Sequence, residues 1–155
     1  MDALLSIKPE FARKILDGEK AYEFRRTSFR DSDAVDTVFL YASSPDQRIV
    51  GAFTMETVIE SDPASLWQEF GDESGIETRE RFMEYFDGAD IGYAYKIDQS
   101  HRFQDSIDPW ERNPDFVPPT SFHYLKGDLI PELRNESGTS LDSIPSPRHQ
   151  NYSSD

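Results

Sequence analysis

Lys20, Glu23 and Arg25 fall within the run Gly18-Glu19-Lys20-Ala21-Tyr22-Glu23-Phe24-Arg25-Arg26, and they are the residues whose types and spacing best suit chemistry. Residues 21–26 alternate, with Tyr22 and Phe24 on one side and Glu23 and Arg25 on the other, as in a half-buried strand. On such a strand Glu23 and Arg25 project from one face about 7 Å apart, two steps of roughly 3.3 Å. A lysine and a guanidinium can anchor a phosphate there, while the carboxylate orients the lysine or accepts a proton. The same spacing also suits an ordinary ion pair between Glu23 and Arg25 on a solvated face.

Other residues extend this set. Ser121 follows Pro118-Pro119 and could place a hydroxyl near Lys20, as a donor to phosphate or as a nucleophile with Lys20 as base; it equally suits a turn-capping serine. Tyr41 and Tyr22 are candidates for stacking on a base, although alternation groups Tyr22 with Phe24 and so with the core. Lys8 and Arg26 are rim cations. A lysine acts as base only if its pKa falls well below about 10.4, and adjacent Glu23 is expected to push it the other way.

Several enzyme classes are set aside. With no cysteine there is neither a disulfide framework nor a thiolate zinc site, and His101, His123 and His149 are too scattered for a histidine metal site or a catalytic triad. Gly71-x-x-Ser74-Gly75 is not a nucleophile elbow, and no phosphate-binding P-loop is present. No metal and no cofactor are expected.

The elements that must position these residues follow from periodicity. Pro9 opens a helix to Asp17, with Phe11, Ala12, Ile15 and Leu16 at helical spacing and Gly18 as its stop, so Lys20 is delivered at the mouth of the next strand. Further strands are expected over 37–42, 48–60 (with a bulge or bend at Gly51), 91–97 and 121–125, and helices over 64–70 and 77–86. Trp67, Phe70, Phe82, Tyr85 and Phe86 read as core rings between helix and sheet, and 105–119 as a proline-interrupted loop. One domain over 1–126 is expected, with residues 127–155 a disordered polar tail. The order gives an α+β fold without βαβ alternation: a mixed β-barrel of about five to six strands flanked by two or three helices.

Of the 155 residues, 30 are acidic and 16 basic, for a net charge of −14, which by itself argues against a nucleic-acid partner. The charge is uneven, however. Residues 1–30 hold seven basic side chains against five acidic ones, +2, so the remainder carries −16, and the segment with the candidate site is the one on which an anion should dock. Asp exceeds Glu and Arg exceeds Lys, a usage that resembles cytoplasmic proteins of salt-accumulating archaea; an ordinary acidic bacterial or phage protein is the alternative. No apolar run reaches the roughly 18 residues of a membrane span, and no secretory leader is recognisable, so a cytoplasmic protein without membrane attachment is expected.

Gly18-x-Lys20-x-x-Glu23-x-Arg25 resembles the GxKxxExR signature of the ASCH (activating signal cointegrator homology) family. Leu5-Ser6-Ile7-Lys8-Pro9, Leu40-Tyr41-Ala42-Ser43-Ser44-Pro45, Ile49-Val50-Gly51 and Pro118-Pro119-Thr120-Ser121-Phe122 are similar to segments of its archaeal and bacterial branch. The resemblance implies a PUA-like barrel with a cleft between barrel and helices, binding RNA, a nucleotide or a modified nucleoside through Lys8, Lys20, Arg25, Arg26 and Tyr41. It also implies a second reading, a hydrolase: a ribonuclease or modified-nucleoside amidohydrolase using Lys20 with Glu23 and Ser121 or Tyr41. Deacylating members carry a threonine where this chain has Glu23, a departure from their pattern, and their second glutamate would fall near residues 72–77.

Overall fold

The computed structural model describes residues 1–30 and 34–125; the expected tail, 127–155, lies outside the described residues. Along the chain come β1 (Ala3–Ile7), α1 (Pro9–Leu16), β2 (Tyr22–Arg25), β3 (Val38–Ala42), β4 (Arg48–Ser61), α2 (Pro63–Phe70), a 3-10 turn (Gly71–Glu73), α3 (Arg79–Tyr85), β5 (Gly92–Ile107), α4 (Pro109–Arg112) and β6 (Phe122–Tyr124). The six strands form one curled, half-barrel sheet in the order β2-β5-β4-β3-β1-β6. The β1–β3 pair is parallel and every other pair antiparallel, so the sheet is mixed and the fold α+β, as expected.

Two local features place Lys20. Pro9 occupies the first turn of α1, where its missing N–H costs nothing, and Gly18, at φ +82, ends the helix in the left-handed region. Lys20 therefore enters β2 from a fixed direction, its amide donating to the Lys14 carbonyl. α1 buries Ala12 and Ile15 in a cluster with Leu5, Leu40, Phe53 and Tyr95 on one face of the sheet. The opposite face holds Leu4, Phe39, Tyr41, Ile49, Phe103 and Phe116. A third cluster seats α2 and α3 on the β2–β5 end through Leu66, Phe82 and Phe86 against Tyr22, Phe24 and Ala94. Burying each such side chain contributes roughly 1.5–3 kcal/mol.

Three expectations change. β5 is far longer than residues 91–97: it runs 16 residues to Ile107, because its second half keeps pairing with β4 while exposing polar side chains such as Gln104 and Asp105. The loop expected over 105–119 is accordingly shorter and contains α4, whose start is capped by the Asp108 side chain accepting from the Trp110 amide. With α4 the described helices number four rather than two or three. The irregularity expected at Gly51 is there, as a register shift between Ile49 and Gly51.

Candidate functional site

A cavity of about 690 Å³ opens between the sheet edge, the head of α1 and the mouth-side face of α3. Lys20, Glu23 and Arg25 line it together, so the structure brings the three residues of the run to one place. All three are buried, at 3%, 5% and 9% exposure, which rules out the solvated ion pair that the spacing also allowed.

Glu23 is the hinge of the trio. One carboxylate oxygen lies 3.4 Å from Lys20 Nζ and the other accepts from Arg25 Nε at 2.8 Å. Arg25 Nη2 then donates to the Ser6 carbonyl at 2.6 Å, so the guanidinium reaches from β2 across the open side of the sheet to β1. Lys20 Nζ donates to the Ser74 carbonyl, in the turn between α2 and α3, and sits 5.3 and 5.5 Å from the ring centroids of Phe11 and Phe24. The neighbouring Lys14 donates to the Gly75 carbonyl at 2.6 Å. The Ser74 hydroxyl, fully buried, donates to the Gly71 carbonyl and accepts from the Ile76 amide, which stiffens this turn.

Burial lowers the pKa of Lys20, and this outweighs the opposing pull of Glu23; Arg25 adds a smaller push in the same downward direction. Glu23 pushes the lysine upward, as expected, but desolvation at 3% exposure is the larger effect and the net shift is downward.

Ser121 is set beside Ser6 by the β1–β6 pairing, its carbonyl accepting from the Ser6 amide, and Ser6 is in turn in register with Tyr41 on β3. Ser121, immediately before β6, Ser6 on β1 and Tyr41 on β3 thus follow one another across the sheet. Ser6 and Tyr41 line the cavity; Ser121 does not, and Thr120 before it does. Tyr41 is 2% exposed and its ring is packed against Trp110 and Phe116, at centroid distances of 6.1 and 5.7 Å, so it leaves no open face for a base. Its phenol pKa is raised by burial first and by Asp108 second. Tyr22 stacks on Phe70 at 4.4 Å within the core.

Of the rim cations, Lys8 lines the cavity, whereas Arg26 turns away, its Nη1 donating to the carbonyls of Tyr85 and Asp87 at the end of α3. Sequence reasoning missed Arg81, Glu84 and Tyr85, all of which line the cavity from α3. Arg81 pairs with Glu10 at 2.5 Å, its guanidinium carbon 5.0 Å from the Phe11 centroid. The carboxylate joining Glu23 in the lining is Glu84, and no residue from 72–77 other than Ile76 takes part. Four cations (Lys8, Lys20, Arg25, Arg81) thus face two carboxylates (Glu23, Glu84). Among the described residues no group of His, Cys, Asp and Glu could hold a metal ion, and no helix is long and apolar enough to cross a membrane.

The ASCH domain model matches residues 5–108. An ASCH domain-containing ribonuclease of Zymomonas mobilis is 27% identical over 134 residues, which cover 85% of this chain and 89% of that protein. Large ribosomal subunit protein uL22 of Ureaplasma parvum is 28% identical over 124 residues, 79% of this chain but 39% of that protein. The crystal structure of ASCH from Zymomonas mobilis aligns with a TM-score of 0.76 and 26% identity, covering 85% of this chain and 92% of that one. Two variants of the Zymomonas protein, one with a serine replaced by alanine and one with a tyrosine replaced by phenylalanine, align equally well.

Proposed function

The chain belongs to the ASCH domain family, and from that premise we propose that it binds RNA in the cavity around Lys20, Glu23 and Arg25. The observation that carries this reading is the buried trio itself. Charged side chains are expensive to bury, and here two cations share one carboxylate at the wall of a cavity large enough for a nucleotide. The surplus positive charge is what a phosphate would neutralise. Lys20 contributes its third N–H and Arg25 its Nη1, neither of which has a partner among the described residues. Glu23 holds both cations in place and Lys8 and Arg81 stand at the rim, so Arg81 takes the place that the sequence suggested for Arg26. The setting in an RNA-related role agrees with the ribonuclease named among the relatives.

A second reading, RNA cleavage, is favoured by the lowered pKa of Lys20. A neutral lysine there would take the proton of a ribose 2′-hydroxyl, whose oxygen attacks the adjacent phosphorus. The departing 5′-oxygen then receives a proton from Tyr41, which lines the cavity and is kept protonated by burial, leaving a 2′,3′-cyclic phosphate; Ser121, outside the lining, is not placed to donate it. A serine and a tyrosine are the residue types altered in two of the Zymomonas structures.

The test is titration of a labelled single-stranded RNA with the wild-type protein and Lys20→Gln across a salt series, followed by gel analysis of the RNA. Binding that weakens in Lys20→Gln supports the first reading, and equal affinities at every salt overturn it. Cleavage by the wild type that persists in Lys20→Gln removes the lysine from the second.

A further inference from the structure

Helix α3 is short, and most of its apolar surface is spent on the core: Phe82 is fully buried, and Phe86, its C-cap, is 2% exposed. Tyr85 is different. It is 42% exposed although it sits between these two in the helical stripe, and of the large apolar side chains left exposed among the described residues (Met1, Tyr85, Ile91 and Val117) it alone lines the cavity. A single exposed ring elsewhere on a surface needs no explanation; one at the mouth of a charged cavity does.

Its position is fixed from two sides. The ring meets Phe86 in a T-shaped contact, with centroids 4.9 Å apart and planes at 80°, which braces it while leaving Tyr85 42% exposed. The carbonyl of Tyr85 accepts from Arg26 Nη1 at 3.1 Å, and Arg26 adjoins Arg25 in the chain, so the last turn of α3 is tied to the strand that carries the trio. The ring borders the same cavity as Lys20, Glu23 and Arg25. One turn earlier, Arg81 lines the same cavity. Proteins hold unpaired nucleotides with a positively charged groove that tracks the backbone and with aromatic rings on which bases stack, and Arg81 and Tyr85 bring both to one cavity.

We propose that Tyr85 is the platform on which one unpaired base stacks, so that the ligand is single-stranded RNA with a base turned into the cavity. This rests on the RNA reading given above. A base locked in a duplex has both faces stacked and cannot lie on a ring inside a space of about 690 Å³, whereas a single nucleotide can. Tyr41 cannot serve instead, since its ring is already enclosed by Trp110 and Phe116.

The experiment compares wild type, Tyr85→Leu and Tyr85→Phe for binding a short labelled RNA, either single-stranded or annealed to its complement. Leucine keeps apolar cover over Phe86 and so guards against misfolding, which a thermal melt checks. Tyr85→Leu should weaken single-strand binding by roughly 5- to 150-fold, the effect of losing one base stack, and Tyr85→Phe should restore most of it. The salt slope should stay unchanged in both, because no phosphate contact is removed. Wild-type affinity in Tyr85→Leu, or duplex bound as tightly as single strand, overturns the proposal while leaving RNA binding intact. If the wild type binds neither RNA, both this proposal and the reading it rests on fall.

Discussion

The guanidinium of Arg25, on the edge strand β2, donates to the backbone carbonyl of Ser6, on β1, at 2.6 Å, and so joins parts of the sheet that have no strand pairing between them. The same side chain holds Glu23 through Nε at 2.8 Å. A residue of the candidate site is therefore also a brace of the fold. Arg25→Met should destabilise the protein by about 3–5 kcal/mol, the cost of breaking a buried pair and leaving one charge behind. Arg25→Lys keeps the charge, but a single ammonium cannot span both acceptors, so roughly a third to a half of that loss should remain. Urea unfolding of the three proteins checks this as a shift in midpoint at constant slope.

Lys20 provides a pH test. Its pKa in the folded protein lies below the ordinary value, mainly through burial. Between the folded value and the unfolded value of about 10.4 the unfolded chain therefore holds more protons, and stability rises with pH. The contribution is fully present above the unfolded value and is lost as pH falls through the folded one. Lys20→Met removes this dependence, so wild type should gain stability on the variant as pH rises toward about 10.4 and then level off. Urea midpoints of both proteins at a series of alkaline pH values measure it; a constant difference would mean that Lys20 titrates normally. Glu23→Gln should lower the lysine pKa further, since Glu23 is the group that opposes burial.

Salt dependence separates rim from floor. Lys8 is exposed at the head of α1 and lines the cavity, so its removal should disturb the fold little. If it meets a phosphate of single-stranded RNA, Lys8→Gln should reduce the slope of log affinity against log salt by about 0.7, the single-strand value per neutralised charge. Fluorescence anisotropy over a tenfold range of salt resolves a change of that size. An unchanged slope would place Lys8 away from the RNA backbone.

The trio was legible in the sequence because its signals are local: a glycine stop, a short gap and an alternating strand deliver Lys20, Glu23 and Arg25 to one place. What holds Lys20 was not, since the Ser74 carbonyl is a backbone atom supplied from 54 residues away and no side-chain type announces it. Tyr85 was assigned to the core because it shares helical spacing with Phe82 and Phe86, but a stripe that wide has an edge, and at the mouth of a cavity the edge faces out. The far half of β5 was hidden for the opposite reason. Residues such as Arg102, Gln104 and Asp105 point to solvent while the backbone goes on pairing, so hydropathy falls silent where hydrogen bonding does not. The start of α4 was marked by Asp108-Pro109, a capping pair that outweighs the loop-like composition around it.

The turn that meets Lys20 allows a last test. Gly75 has φ +74, and a Cβ placed there would come within 3.2 Å of Lys14 Cδ and Lys20 Cδ and 3.3 Å of Lys20 Cβ. Gly75→Ala should therefore do two things: cost about 1–2 kcal/mol from the left-handed backbone, and push the turn off the two lysines that donate to its carbonyls. Gly18→Ala separates these effects, because Gly18 has φ +82 but nothing within 4 Å of its Cβ position. It should lose a similar amount of stability and leave Lys20 covered. Amine labelling followed by peptide mass spectrometry, with thermal melts alongside, compares the two variants. Lys20 should become several-fold more reactive in Gly75→Ala alone; equal reactivity in both would show that the turn does not control access to that amine.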